Sequence, residues 1–257
     1  MGVRQTGVPL GAALAAAFLP QIASRVGPAS VFPLLAPELL LLGIFFAALI
    51  RPIRRSPHER SQASQASLLP LILPASVGFL LVAGQYDLLA FTIDHLTKSG
   101  FPLWIAALSL TSAQLGGAVG RIGFGLISDH IGSRPKAIAL SAALGAAGVV
   151  VTALLPRETP LASLLLLFFL TGAGAVGWNA LVLTWGAERV APERSGTAIG
   201  LLGSAIFLGS ATFPPLFGLA VDSMHSYHGA FVMLGAQLAL AGLIAWLSAR
   251  RSVPVPV

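Results

Sequence analysis

The chain has no cysteine among its 257 residues, which excludes disulfides, thiolate metal sites and cysteine nucleophiles together. Charge is almost as scarce. Asp, Glu, Lys and Arg make up 9% of the residues, where a soluble domain carries about 25%, and this deficit excludes a water-soluble globule. Acid is the scarcer sign, with nine Asp and Glu against fifteen Lys and Arg, for a formal net charge of +6 and a pI near 11.1. A basic balance can mark a nucleic-acid binder. Here the basic residues sit in short clusters between apolar runs and not along one face, which excludes that class. Gly-x-Ser-x-Gly, His-Glu-x-x-His and paired carboxylates around an aqueous site are also missing, so no hydrolase chemistry is legible and no enzyme activity is expected. What remains is apolar: 56% of residues are hydrophobic and the mean hydropathy is +0.86.

A helix needs about 20 mostly apolar residues to cross a hydrocarbon layer roughly 30 Å thick. Eight such runs stand between charges or Pro/Gly clusters, at 5–24, 31–50, 68–91, 103–127, 137–155, 161–185, 196–220 and 229–249. They predict an all-α, polytopic membrane helix bundle with about eight transmembrane helices. Twelve of the fifteen basic residues fall on one side of these spans, and only Arg25, Lys98 and Arg157 fall on the other. The positive-inside rule then makes the richer side and both termini cytoplasmic, in a multi-pass protein of the inner membrane. The polar, Ser/Gln-rich and basic stretch 51–67 reads as a cytoplasmic linker. It separates a two-helix segment, 1–50, from a six-helix bundle, 68–250, with a cytoplasmic tail at 251–257.

The first run, with Arg4 before it and small residues after it, also fits a secretory signal peptide. Two features favour a span instead: Gly7 and Gly11 form a small-x-x-x-small pair suited to helix packing, and the stretch from Arg4 to Gly11 echoes the stretch from Arg194 to Gly200. An echo across the linker suggests two related halves, the first too short to match the second.

The loop joining the fourth and fifth spans reads Gly125-Leu-Ile-Ser-Asp129-His-Ile-Gly132-Ser-Arg134-Pro-Lys136. It resembles the signature loop of the major facilitator superfamily, and the preceding Gly120-Arg121-Ile-Gly-Phe-Gly125 is similar to its monocarboxylate and oxalate/formate exchanger-like branches. The resemblance implies that spans three to eight are family helices seven to twelve and spans one and two are helices five and six. Family helices one to four, with the first copy of the loop, are then missing from a partial major-facilitator fold, as in a truncated chain or one completed by a missing N-terminal half or an oligomer. The implied function is secondary active transport of a small solute, an organic anion by branch, moving with protons or against a counter-solute by alternating access. No cofactor is implied. The alternative is a truncated, non-transporting membrane protein or scaffold. In the loop itself, Asp129 is expected against the positive end of a neighbouring helix, the one starting near Gly196. Gly125 and Gly132 would allow close approach and a turn, while Arg134 and Lys136 stay in interfacial water or act as plain positive-inside anchors.

Polar side chains inside spans are costly, so those facing a cavity are functional candidates. In the third span Gln85, Tyr86 and Asp87 are consecutive and point about 100° apart in succession, so the three cannot all face one cavity. Asp87 lies roughly 29 Å from the cytoplasmic end of the run, near the outer mouth, as a proton or cation carboxylate or a solvated helix end. Gln114 and Arg121 share a face seven residues apart, and Arg121 either attracts an anionic substrate or snorkels to the headgroups. Trp178 and Asn179 either stack on and bond a substrate or pack helices; Trp185 reads as an interfacial belt residue. Glu38 after Pro37 reads as a helix start, and Gln237 is a weaker cavity candidate.

Two motifs carry less. Gly172-Ala-Gly174-Ala-Val-Gly177 matches a dinucleotide fingerprint, but the apolar run continues through it, so helix packing accounts for it better. Asp222, His225 and His228 stand at three-residue steps in a short outer loop; a polar loop is the ordinary outcome and no metal site is assigned. His58, His95 and His130 read as loop histidines without partners.

Overall fold

The computed structural model describes residues 6–49 and 67–251. Arg4, Arg51, Arg54, Arg55, Arg60, His58, the linker up to residue 66 and the tail from residue 252 lie outside them. The described residues form nine α-helices: α1 (Gly7–Val26), α2 (Pro28–Leu49), α3 (Ile72–Lys98), α4 (Leu103–Ile131), α5 (Arg134–Ala153), α6 (Leu161–Gly177), α7 (Asn179–Ala187), α8 (Ser195–Met224) and α9 (Tyr227–Arg251). Short 3-10 turns precede α3 and α8. Seven stretches among the described residues are long and apolar enough to cross a membrane, with α6 and α7 forming one of them. The second expected span is α2, whose apolar part, Leu35–Leu49, is shorter.

Most helices outrun the apolar runs that announce them, because backbone hydrogen bonding continues where hydropathy stops. α3 extends to Lys98 and carries Asp94 and His95 with it. His95 is therefore a buried helix residue and not a loop histidine, with Nε2 3.4 Å from the Thr152 carbonyl. α2 likewise runs through Pro33 and Pro37, so Glu38 is an exposed mid-helix residue and not a helix start. α4 and α6 each begin just after an extended proline, Pro102 and Pro160. α4 ends where Gly132 adopts φ +63°, a left-handed conformation that glycine enters without Cβ strain.

The bundle is held by close backbone contact. A Cβ on Gly172 would fall 1.8 Å from the Ala113 carbonyl oxygen, and one on Gly116 would fall 1.9 Å from that of Phe169. Glycine at these positions lets α4 and α6 touch along their backbones, as small residues do between membrane helices. The fingerprint-like glycines thus serve packing. α5 packs on α9 and on α6, α3 packs on α8, and α1 lies along α4. α1 uses Pro9, Ala13 and Ala16 for this, with Thr111 Oγ1 3.4 Å from the Ala13 carbonyl. Gly7 and Gly11 face open space, so the expected small-residue seam is not there. The largest buried side chains include Trp178, Phe231, Leu81 and Leu238. Phe207, Leu208, Leu216 and Leu219 leave one face of α8 exposed, and residues 39–46 do the same for α2.

Candidate functional site

α3, α4, α7 and α8 enclose a cavity of about 440 Å3 that Val8 of α1 also borders. Gln85 of α3, Arg121 of α4 and Asn179 of α7 all line it, together with Tyr86, Gly200, Gly203 and Ser204. Arg121 is 1% exposed, so it does not snorkel to the surface. Its Nε donates to the Val176 carbonyl at 3.3 Å and a terminal nitrogen donates to Gln85 Oε1, also at 3.3 Å. Uncharged acceptors on α6 and α3 therefore help to fix the plane of the guanidinium. Such a site presents a held cation, an amide pair and a phenol to whatever occupies the cavity.

Three expected candidates lie elsewhere. Trp178 is fully buried, and its Nε1 donates to the Ala175 carbonyl at 2.8 Å one turn back, so the ring packs the core and does not reach the cavity. The helix pauses at this residue, which separates α6 from α7 and starts the short helix on Asn179. Gln114 is buried in α4 but does not line the cavity, although it shares a face with Arg121 by spacing. Asp87 is 2% exposed and borders a separate cavity of about 160 Å3 between α3, α8 and α9, with Gln237 on its wall. Gln85 and Tyr86 thus line one cavity and Asp87 another, so the three consecutive residues do not share one. Asp87, Gln114 and Asn179 do not converge, as an intramembrane catalytic cluster would require.

On the side rich in basic residues, Asp129 is ion-paired with Arg134. Arg134 also bonds Ser128 Oγ at 3.1 Å and reaches Glu188, just past α7, at 3.2 Å. Half-exposed charges make this a tie between the α4–α5 loop and the end of α7. Gly132 makes the turn expected of it, with its N–H bonded to the Ser128 carbonyl. A Cβ on Gly125 would meet nothing within 4 Å, so close approach does not account for that glycine. Lys136 is exposed. Trp185 is buried beneath Arg189, 5.0 Å from ring centroid to guanidinium carbon, and is no belt residue.

On the opposite side Tyr227 donates to Asp94, which also pairs with Lys98 at 2.9 Å. His228 Nδ1 lies 3.2 Å from the Ala153 carbonyl. Among the described residues no group of three His, Cys, Asp or Glu is placed to hold a metal ion.

Sequence reasoning missed Glu188, whose position just beyond the sixth apolar run was its only signal. It also missed the α8 wall, where Gly200, Gly203 and Ser204 recur at helical spacing beside Ile199.

A bundle of apolar, membrane-length helices around a largely apolar cavity with a few convergent polar groups defines a multi-pass integral membrane protein. Within that class the chain belongs to the Major Facilitator Superfamily, whose family model matches residues 1–214 and 76–257. That is a family of transporters and not of enzymes. An uncharacterized MFS-type transporter of Mycobacterium tuberculosis is 32% identical over 247 residues, covering 91% of this chain and 54% of its own length. Its counterpart in a second strain of the same organism is 32% identical over 249 residues with the same coverage. The chain spans about half the length of these relatives. Among solved structures, an alanine-substituted form of the E. coli fucose:proton symporter superposes with a TM-score of 0.62 at 13% identity, covering 89% of this chain and 58% of that one. At that identity the likeness is one of fold.

Proposed function

We propose that this chain carries the solute cavity of a secondary active transporter for a small organic anion. The observation that supports the reading is the convergence of Arg121, Gln85 and Asn179 on one cavity of about 440 Å3. A guanidinium anchored to the Val176 carbonyl and to Gln85 Oε1 is already ordered, so it can meet an anion without a large loss of side-chain entropy. The resemblance of the Gly120–Gly125 stretch to monocarboxylate and oxalate/formate exchangers favours the same solute class. Transport would run by alternating access, driven by protons or by counter-solute, because the chain carries no nucleotide-binding motif to supply energy.

The Asp129–Arg134–Glu188 network suits a latch on the inner side, since it joins the facing ends of α4 and α5 to the turn after α7 across partly exposed ion pairs that break at little cost. The positive-inside balance supports an inner-membrane protein with both termini in the cytoplasm, and the polar, Ser/Gln-rich stretch supports a division into 1–50, a linker at 51–67, the bundle 68–250 and a tail at 251–257. The open faces of α1 and α8 are where a further half-bundle or a second copy would sit.

The test is uptake of radiolabelled formate, lactate, oxalate and succinate into proteoliposomes, with and without a proton gradient. The reading expects uptake or counterflow of at least one of these, lost in Arg121→Gln. Uptake of neutral sugars alone, unaffected by Arg121→Gln, would contradict it.

A further inference from the structure

We propose that Gly200 and Gly203 of α8 set the size of the solute, by keeping open the part of the cavity in which the carbon body of the anion lies while Arg121 holds its charged end. The inference rests on the transporter reading above for what fills the space, though not for the space itself.

α8 carries glycines of two kinds. A Cβ on Gly209 would fall 2.5 Å from Val82 Cγ1 and 2.7 Å from the Phe79 carbonyl oxygen, so that glycine serves the packing of α8 on α3. A Cβ on Gly200 or Gly203 would meet nothing within 4 Å, yet both residues line the cavity of about 440 Å3. Glycine in a helix interior is less favourable than alanine. Close packing offsets that cost at Gly209. At Gly200 and Gly203 no neighbour needs the room, and what a side chain would fill is the cavity itself. The two stand three residues apart on one face of the helix, so side chains at both positions would close the same space.

The cavity walls differ in chemistry. Gln85, Tyr86, Arg121 and Asn179 bring polar groups from α3, α4 and α7, and Arg121 is the one charged side chain among the described residues that line it. α8 brings Ile199, Ile206 and Phe207 between and beside its glycines, and Leu183 of α7 adds to that apolar surface. Ser204 is the one polar side chain that α8 contributes, and its Oγ donates back to the Gly200 carbonyl at 3.0 Å. The wall therefore offers apolar contact, with its hydroxyl already engaged by its own helix. An anion whose charged group meets Arg121 lays its carbon skeleton along this wall, where glycine leaves room for it. Such a pocket ranks solutes by size, since a methylene that fits or clashes is worth roughly tenfold or more in discrimination. Formate and oxalate have no carbon body to place there and would leave the wall to water. The construction suits an anion with a branched or aromatic body.

The full chain in lipid nanodiscs tests the space without any solute. Gly203→Cys gives the otherwise cysteine-free chain a single thiol on this wall, and a small charged thiosulfonate should modify it several-fold faster than it modifies the Gly200→Leu/Gly203→Cys protein. No reaction with the charged reagent, or equal rates in two folded proteins, overturns the proposal. For selectivity, proteoliposomes carrying the natural chain, Gly203→Ala or Gly203→Leu are offered lactate, isovalerate and phenylpyruvate. The ratio of phenylpyruvate to lactate uptake should fall stepwise from glycine to alanine to leucine, by roughly tenfold or more in all. Gly123→Leu, at a glycine that faces open space but does not line the cavity, should leave the ratio where it is. A natural chain that takes lactate and neither bulkier acid, a ratio that does not fall in Gly203→Leu, or one that falls as far in Gly123→Leu overturns the size role. Should no anion move in any form, the labelling rates alone decide whether Gly200 and Gly203 bound the space, and the anion reading is what fails.

Discussion

A terminal nitrogen of Arg121 donates to Gln85 Oε1 across 3.3 Å, so a hydrogen bond joins α4 to α3 at the wall of the cavity. The same guanidinium reaches back to the Val176 carbonyl, which ties in α6 as well. Three helices thus meet at one side chain that is almost wholly buried.

Arg121→Lys keeps the charge but cannot hold the two acceptors in the plane that the guanidinium fork spans. Hydrogen bonds to charged groups are worth about 1.5–3 kcal/mol each, so the variant should bind the transported anion roughly tenfold or more weakly. Gln85→Ala should weaken binding less, since Val176 still orients the arginine. Equilibrium binding of the radiolabelled anion to purified protein measures both.

Trp178 and Asn179 are neighbours with separable roles. Trp178→Phe removes the indole donor from the Ala175 carbonyl and should lower stability by about 1 kcal/mol while leaving anion affinity unchanged. Asn179→Ala faces the cavity and should do the reverse. Thermal unfolding and binding, measured side by side on the two variants, give opposite patterns if the assignment is right.

Glycine positions give a sharp contrast. Gly172→Val places atoms into the Ala113 carbonyl and forces α6 away from α4, a change expected to cost about 3 kcal/mol or more and to reduce the yield of folded protein. Gly123→Ala, on α4 but facing open space, should be neutral or stabilising by up to about 1 kcal/mol. Size-exclusion profiles and melting temperatures of the two variants test this directly.

The inner network should matter little to stability. Arg134, Asp129 and Glu188 are 26%, 64% and 51% exposed, so solvent screens their pairing. A double-mutant cycle on Arg134→Ala and Glu188→Ala should give a coupling below about 1 kcal/mol that shrinks as salt rises. A latch role would instead show in transport rates of the same variants, with little change in melting temperature.

Much of this architecture was legible in the chain because an apolar run of membrane length satisfies its own backbone groups in lipid by forming a helix. That Gln85, Tyr86 and Asp87 cannot all face one cavity followed from helical periodicity, and the structure puts Gln85 and Tyr86 on one cavity and Asp87 on another. Convergence was not legible. Arg121 and Asn179 meet because backbone contact at Gly116 and Gly172 draws α4 against α6, a tertiary event that spacing within one helix does not encode. Trp178 misled because an aromatic beside an amide looks the same whether its ring faces a solute or, as here, bonds to a carbonyl one turn back. The Asp129–Arg134 pair was not legible either, because it depends on the turn that Gly132 makes between the two residues.

The absence of cysteine makes the central claim testable on the otherwise natural chain. Asn179→Cys places a single thiol in the cavity, and labelling of inverted and right-side-out vesicles by a membrane-impermeant maleimide reports its access from either side. The account expects labelling from an aqueous face, slowed several-fold by saturating amounts of the anion that the proteoliposome assay identifies. Labelling by lipid-soluble reagents alone, or a rate indifferent to that anion, would contradict the claim that Gln85, Arg121 and Asn179 line the solute path.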